Sequence, residues 1–174
     1  MRAISRIADR INTLIAAIVG MMLAISTIAV FAQIMVRFAL PKLGIIIAAP
    51  WTEEVARYFM VWVVFLGVAV LLRTGRLIAV EIVIFMAPPR IANIVKLGAV
   101  AVCLLFFGIV AAIGFDWVAM SAIEVAPVMR IPMNWVYLSM PVGALIAIAN
   151  LIIFAMEIIV GSRQAAGEGV EAVE

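Results

Sequence analysis

Histidine is absent from this 174-residue chain, and cysteine occurs only once. Without histidine the chain cannot build a histidine-ligated haem site, a histidine-dependent zinc site or a Ser-His catalytic pair. The single thiol, Cys103, lies inside an apolar run, where it has no disulfide partner and is inert. These absences leave almost no chemistry for an enzyme, and we predict no catalytic residue, no metal site and no cofactor.

Charged residues are scarce too, at 13% of the chain, whereas hydrophobic residues make up 68% and the mean hydropathy is +1.32. A soluble domain is nearer half apolar and a quarter charged, and a globule of this size has too little interior for so much apolar surface. Lipid is therefore the expected solvent, and we predict an integral membrane protein. The net charge is only +2 and no basic run is present, which argues against a nucleic-acid partner.

The few charges divide the chain into long uncharged runs, which are Ile11–Val36, Tyr58–Leu72, Leu97–Phe115 and Ile131–Met156. A membrane span needs about 20 largely apolar residues. Three runs are long enough, and the second is long enough if its helix begins near Trp51. A backbone in lipid must satisfy its own hydrogen bonds, and the runs lack the polar alternation of a barrel, so each run is predicted to be a helix.

The predicted fold class is an all-α integral membrane protein with four transmembrane helices and a short interfacial helix between helices two and three. Residues 1–160 would form one domain, with spans at about 11–36, 51–73, 96–116 and 133–157. The connection 77–87 is apolar, too short to cross and closed by two prolines, which favours an interfacial or re-entrant helix. The small and acidic stretch 161–174 is predicted to be a disordered tail.

Arginine and lysine are unevenly divided between the two sides of the predicted spans. The termini and the connection between helices two and three carry eight of them, and the opposite side carries four. The richer side is expected to be cytoplasmic, which places both termini inside. The first run has the basic flank of a signal peptide, but it exceeds the usual apolar core of roughly 7 to 15 residues, so an uncleaved anchor is preferred.

The start of helix two combines acidic, basic and aromatic residues. At 100° per residue, one line along this helix collects a stripe of large and small apolar side chains: Trp51, Val55, Tyr58, Trp62, Phe65, Ala69 and Leu72. Glu53 and Arg57 lie on the opposite side, at the spacing of four that lets a carboxylate and a guanidinium meet, and Glu54 is three residues from Arg57. We interpret the cluster as interfacial anchoring or as docking of a partner, since an ion path needs a carboxylate nearer the membrane centre.

Two features concern the packing of helices one and four. Pro141 lacks an N–H and clashes with the carbonyl of Tyr137, so a kink is predicted there, with Gly143 directly after it. We interpret it as a packing kink, with a flexing point as the alternative. On helix one, a ladder of small residues is suited to close helix contact: Ala16, Gly20 and Ala24.

Two blocks of the sequence carry a family resemblance. In PWTEEVARYFMVWVVFLGVAVLLRTGR the relevant positions are Trp51, Glu53, Glu54, Arg57, Trp62, Phe65, Leu66, Gly67 and Arg73. In IPMNWVYLSMPVG they are Ile131, Pro132, Trp135, Tyr137, Pro141 and Gly143. Together they resemble the small membrane subunit of TRAP transporters (tripartite ATP-independent periplasmic transporters, the DctQ-like family). The chain departs from that family at Leu77, where relatives often have His, and has Glu81 in place of their Asp.

The resemblance implies a small permease subunit in the bacterial inner membrane that scaffolds a larger transport subunit. It implies uptake of an organic anion, driven by a sodium or proton gradient. The implied partners are the large TRAP membrane subunit, a periplasmic solute-binding protein and the lipid bilayer. The alternative is a self-contained homodimeric exporter of four helices, which would need an intramembrane carboxylate for proton coupling, whereas the acids here fall at or beyond the run ends.

Overall fold

The computed structural model describes residues 2–45, 47, 49–74 and 89–160. In these ranges the fold is helical, with one isolated antiparallel bridge between Val125 and Pro132. The main helices are α1 (Arg2–Ile34), α2 (Trp51–Thr74), α3 (Pro89–Met120), α4 (Asn134–Tyr137) and α5 (Ser139–Ile159). The predicted all-α class is confirmed. The predicted interfacial helix 77–87 and tail 161–174 lie outside the described residues.

Among the described residues, four helical stretches are long and apolar enough to cross a membrane: Ile4–Leu43, Trp51–Thr74, Ile94–Ile123 and Asn134–Ile159. The fourth stretch combines α4 and α5. The helices run past the charges that bound the predicted spans; α3, with 32 residues, is about 48 Å long against a hydrocarbon core of about 30 Å. The charged residues mark the limits of the uncharged segment, whereas the helix extends as far as its backbone hydrogen bonds continue.

The first span ends in a change of helix type. After Ile34 the chain passes through one π-helical turn, Met35–Ala39, and one 3-10 turn, Leu40–Leu43. Pro41 has no N–H to continue the regular ladder. The N–H of Leu40 reaches back five residues to the carbonyl of Met35, which is the π-type bond.

The described helices pack in a row rather than around a central axis. Extensive contacts join α1 to α2, α2 to α5 and α5 to α3, so α1 and α3 stand at the two edges. The buried apolar cluster lies between the inner helices and α3, and its members are mostly small or aliphatic: Ala69, Leu72, Val100, Phe107, Ala111, Ala144, Ala147 and Leu151. Small side chains let backbones approach closely, which matters in lipid because apolar burial provides no net attraction between helices.

Two glycines sit where neighbouring helices touch. A Cβ on Gly143 of α5 would come within 2.6 Å of the Cβ and 2.9 Å of the carbonyl carbon of Phe65 on α2. A Cβ on Gly114 of α3 would come within 2.9 Å of Pro141 Cδ. The α2–α5 and α5–α3 contacts therefore each depend on a missing side chain.

The fourth span is divided at Leu138, three residues before Pro141. Pro141 cannot donate to the carbonyl of Tyr137, whereas Val142 still donates to Leu138 O at 3.1 Å. The buried hydroxyl of Ser139 donates to Val136 O at 2.7 Å and so satisfies a carbonyl beside the break. Pro141 itself is fully buried, so it is part of the packed contact between α5 and α3.

The small-residue ladder of α1 faces away from the other helices. Ala16, Gly20 and Ala24 are exposed, and a Cβ on Gly20 would meet nothing within 4 Å. The ladder therefore makes no close helix contact inside the described chain, and its use in a contact stays a prediction.

We predict that Gly143→Ala destabilises the protein whereas Gly108→Ala does not. The first substitution forces α2 and α5 apart against backbone atoms, and such overpacking costs about 1–3 kcal/mol. The second adds a methyl group to α3 where nothing lies within 4 Å, and alanine is the better helix former. Thermal unfolding of the two variants in the same detergent checks the difference, and equal midpoints would contradict the packing argument.

Candidate functional site

The predicted charged cluster at the start of α2 divides into two parts. Arg57 Nη2 lies 2.6 Å from Glu53 Oε1, and both side chains are exposed, at 64% and 55%. Gln33 of α1 donates to Glu53 Oε2 at 3.2 Å, so the pair also touches the neighbouring helix. An exposed pair of this kind contributes little to stability, at most about 1 kcal/mol, because water screens it.

Glu54 has a different environment from its neighbour Glu53. It is only 6% exposed, and its carboxylate accepts the backbone N–H of Val128 at 2.9 Å and of Met129 at 2.8 Å. Those residues belong to the connection between α3 and α4. The acid that the helical spacing places beside Arg57 therefore binds a distant segment of backbone instead.

The segment that Glu54 holds is a tight hairpin-like loop, defined here as residues 124–133. Met133 N–H donates to Glu124 O at 2.9 Å, and Ala126 N–H donates to Ile131 O at 2.8 Å. Arg130 adopts a positive φ of 56°, which is unfavourable for a residue with a Cβ. Backbone bonds close the loop at its base, and Glu54 holds its tip.

A groove of about 510 Å³ runs between α1 and α2 beside the exposed ion pair. Its floor is apolar and its rim carries the polar groups of Gln33, Glu53 and Arg57; the remaining lining residues are Val30, Ala56, Met60, Val61, Val64 and Phe65. An apolar trough with a zwitterionic rim suits either lipid at the interface or a helix of another subunit.

The aromatic stripe of α2 changes character along its length. Trp51 is exposed, Tyr58 and Trp62 are half-buried, and Ala69 and Leu72 belong to the core. The stripe is thus a packing seam only over its second half. Its first half leaves the Trp51 side chain exposed at the start of the helix, and Trp is a residue type that favours the membrane interface.

At the other end of α2, Arg73 joins three helices. Its guanidinium fork donates to both oxygens of Glu157 on α5, at 2.9 and 2.7 Å, and its Nε donates to Asp9 on α1 at 2.9 Å. The Ser5 hydroxyl accepts from Arg73 at 2.9 Å and donates to Glu157 at 2.8 Å. Arg73 is only 5% exposed, so this bidentate geometry is what compensates for removing its charge from water.

A second set of polar contacts between helices lies about two helical turns along α5 from Glu157, toward the middle of the span. The side-chain amides of Asn12 on α1 and Asn150 on α5 donate to each other, at 2.8 and 2.7 Å. Their remaining N–H groups donate to the backbone carbonyls of Ala8 and Ala69, at 2.9 and 2.8 Å. All four amide N–H bonds are used, which is what a buried amide in an apolar layer requires.

The helical spacing predicts the contact between Glu53 and Arg57, but not the partners of Glu54, Arg73 or the two buried amides. Arg73 is indicated by the family resemblance alone, and the sequence gives no sign that Asp9 and Glu157 are its partners. Nothing in the sequence pairs Asn150 with Asn12 on a distant helix. The one available signal was that both amides lie close to the charged ends of their runs.

These contacts define two opposite ends of the molecule, called here the Glu54 end and the Arg73 end. Glu54 brings the start of α2 to the 124–133 loop, whereas Arg73 brings the end of α2 to the start of α1 and the end of α5. In the parts of the chain that the structure describes, no three His, Cys, Asp or Glu side chains are placed to hold a metal ion.

The family model for tripartite ATP-independent periplasmic transporters, DctQ component, matches residues 26–161. The chain belongs to the DctQ family. Its match includes Glu53, Glu54 and Arg57 at one end and Arg73 and Glu157 at the other. No curated protein matches the chain.

Membership makes this chain a TRAP transporter component and a multi-pass protein of the inner membrane. DctQ is a family of transporter components rather than of enzymes, and it works with a large membrane subunit and a binding protein.

We predict that Arg73→Met destabilises the protein far more than Arg57→Met. Removing Arg73 leaves Glu157 nearly buried and uncompensated, which costs about 3–5 kcal/mol. Removing Arg57 breaks an exposed pair worth about 0–1 kcal/mol. Thermal unfolding in detergent compares the two.

The same measurement on Arg73→Met combined with Glu157→Met separates charge from packing. Replacing both partners by apolar groups should recover part of the loss, because no carboxylate is then left buried opposite methionine. A double variant as unstable as Arg73→Met alone would contradict the ionic account.

Proposed function

We propose that this chain is the scaffolding small permease subunit of a TRAP-type secondary transporter. It would hold the large transport subunit in the bilayer during cation-gradient-driven uptake of an organic anion that a periplasmic binding protein delivers. The observation that carries the proposal is the cross-linking of α1, α2 and α5 by buried polar contacts at two depths. Such contacts favour one fixed arrangement of helices, which suits a support rather than a moving part.

The interior polar groups are hydrogen-bonded within the chain, which also supports a scaffolding role rather than a substrate-carrying one. A coupled transporter needs ionisable groups or broken helices around a site near the membrane midplane. Among the described residues, Asn12 and Asn150 have the buried side-chain amides. Their N–H groups donate to each other's oxygen atoms and to backbone carbonyls. Arg73 is committed to Glu157 and Asp9 at one end.

The direction of insertion is part of the proposal. The arginine- and lysine-rich segments flank the Arg73 end, so we assign that end and both termini to the cytoplasm. The Glu54 end, with the 124–133 loop, then faces the periplasm. The groove rimmed by Glu53 and Arg57 would serve either the large subunit or the lipid interface at that side.

A mild-detergent pull-down of the tagged chain from its native membranes tests the subunit proposal directly. We expect one large multi-span protein to co-purify in equal proportion. Recovery of the chain alone, as a stable homodimer, would overturn the proposal and favour the self-contained exporter.

We predict that Glu53→Ala combined with Arg57→Ala lowers the yield of this complex or its uptake. The expected loss is up to about fivefold, because the exposed pair as a whole contributes about 1 kcal/mol or less at an interface rim. Lys42→Ala combined with Asp116→Ala is the matched control, since it removes one exposed base and one exposed acid elsewhere. Wild-type assembly and uptake in the first double variant would leave only the interfacial role for the ion pair.

A further inference from the structure

Glu54 is the one described side chain that ties α2 to the tip of the 124–133 loop through backbone N–H groups. The N–H groups of Val128 and Met129 are consecutive, and both point at one carboxylate. Two adjacent backbone donors form a small anion-binding concavity. Here the anion is supplied by another helix of the same chain, so the loop takes its shape from a residue about 75 positions earlier in the sequence.

A carboxylate is the side chain that this geometry requires. Each of its oxygens accepts one N–H, at 2.9 and 2.8 Å, and a charged acceptor makes each bond stronger than a neutral one would. A carboxamide of the same shape offers one acceptor oxygen and turns an NH₂ group toward the other N–H. Glu53, one residue away, makes no such contact and pairs with Arg57.

The loop presents exposed apolar groups beyond the hydrocarbon depth of α3. Lys96 and Asp116 are separated by about 30 Å along that helix, which is the thickness of the hydrocarbon core. Ile123, after Asp116 and just before the loop, is 93% exposed, and Val125 and Val128 are exposed as well. Surface of this kind outside the lipid core is typical of a protein contact.

We propose that Glu54 is a positioning residue that presets the 124–133 loop for docking of the periplasmic binding protein. The proposal rests on the proposed function and on the assignment of the Glu54 end to the periplasm. A soluble partner that binds and leaves in each cycle suits a small apolar surface with charges at its margin, here Glu124 and Arg130, both exposed. Holding the loop in one shape before contact lowers the ordering cost of each encounter.

The test is uptake by the complete transporter in proteoliposomes at increasing concentrations of the binding protein. Glu54→Gln should raise the half-saturating concentration of binding protein on the order of tenfold, as for loss of one hydrogen bond to a charged group, with the maximum rate unchanged. Asp116→Asn, which removes the charge of an exposed acid outside the loop, is the control and should leave both values unchanged. A purely structural role for Glu54 would instead lower the maximum rate together with the recovery of the complex, and that result would overturn the proposal.

Trypsin supplies a readout of the loop that does not depend on transport. Arg130 is exposed within the loop and is followed by Ile131, so cleavage after it reports loop opening. Cleavage should be faster in Glu54→Gln than in wild type or Glu53→Gln. Unchanged cleavage would overturn the positioning role, and this arm still reads out if the proposed transporter function fails.

A second variant tests the docking surface without touching Glu54. Ile123→Ser removes an exposed apolar group and leaves both bonds to Glu54 in place. It should raise the half-saturating concentration of binding protein while trypsin cleavage stays at the wild-type rate. Faster cleavage in Glu54→Gln combined with unchanged half-saturation in both variants would show that the loop is held but does not dock the binding protein.

Discussion

The bonds that Arg73 makes to α1 and α5 are the interaction on which the arrangement of this protein depends. In lipid, apolar side chains gain nothing by leaving one hydrocarbon surface for another, so helices need other reasons to stay together. A guanidinium that donates to carboxylates on two neighbouring helices provides one, because the buried charges of Arg73 and Glu157 would each be costly without the other. Extensive packing joins α1 to α2 and α2 to α5, and it is polar side chains that connect α1 directly to α5.

The second constraint is the absence of side chains where helices meet. Gly143 against Phe65 and Gly114 against Pro141 let α5 lie close to both of its neighbours. Close approach brings the Asn150 amide within reach of the Ala69 carbonyl on α2. Steric fit and polar bonding therefore support each other, since a bulkier contact surface would move the donors away from their acceptors.

The sequence predicted the fold class well because lipid imposes strong rules on composition and on backbone bonding. The helix ends were less predictable, since charges mark apolar depth rather than the last hydrogen bond. Contacts of the candidate site were predictable only where both residues lie on the same helix. Spacing along one helix brings Arg57 to Glu53, but it says nothing of Val128 and Met129, or of the distance from Asn12 to Asn150, because those contacts depend on how the helices pack.

The order of the helices in space also bears on how the chain is made. Synthesis delivers α3 before α5, yet α3 stands at the edge of the row and packs extensively against α5 and not against α1 or α2. The third span therefore gains its main packing partner only after the fourth span has been synthesised. Until α5 has been synthesised, Asp9 is available to Arg73 but Glu157 is not, because Glu157 lies on α5. Insertion and assembly are consequently separate events here, and α5, the last of the described helices in chain order, is the one that contacts both edges.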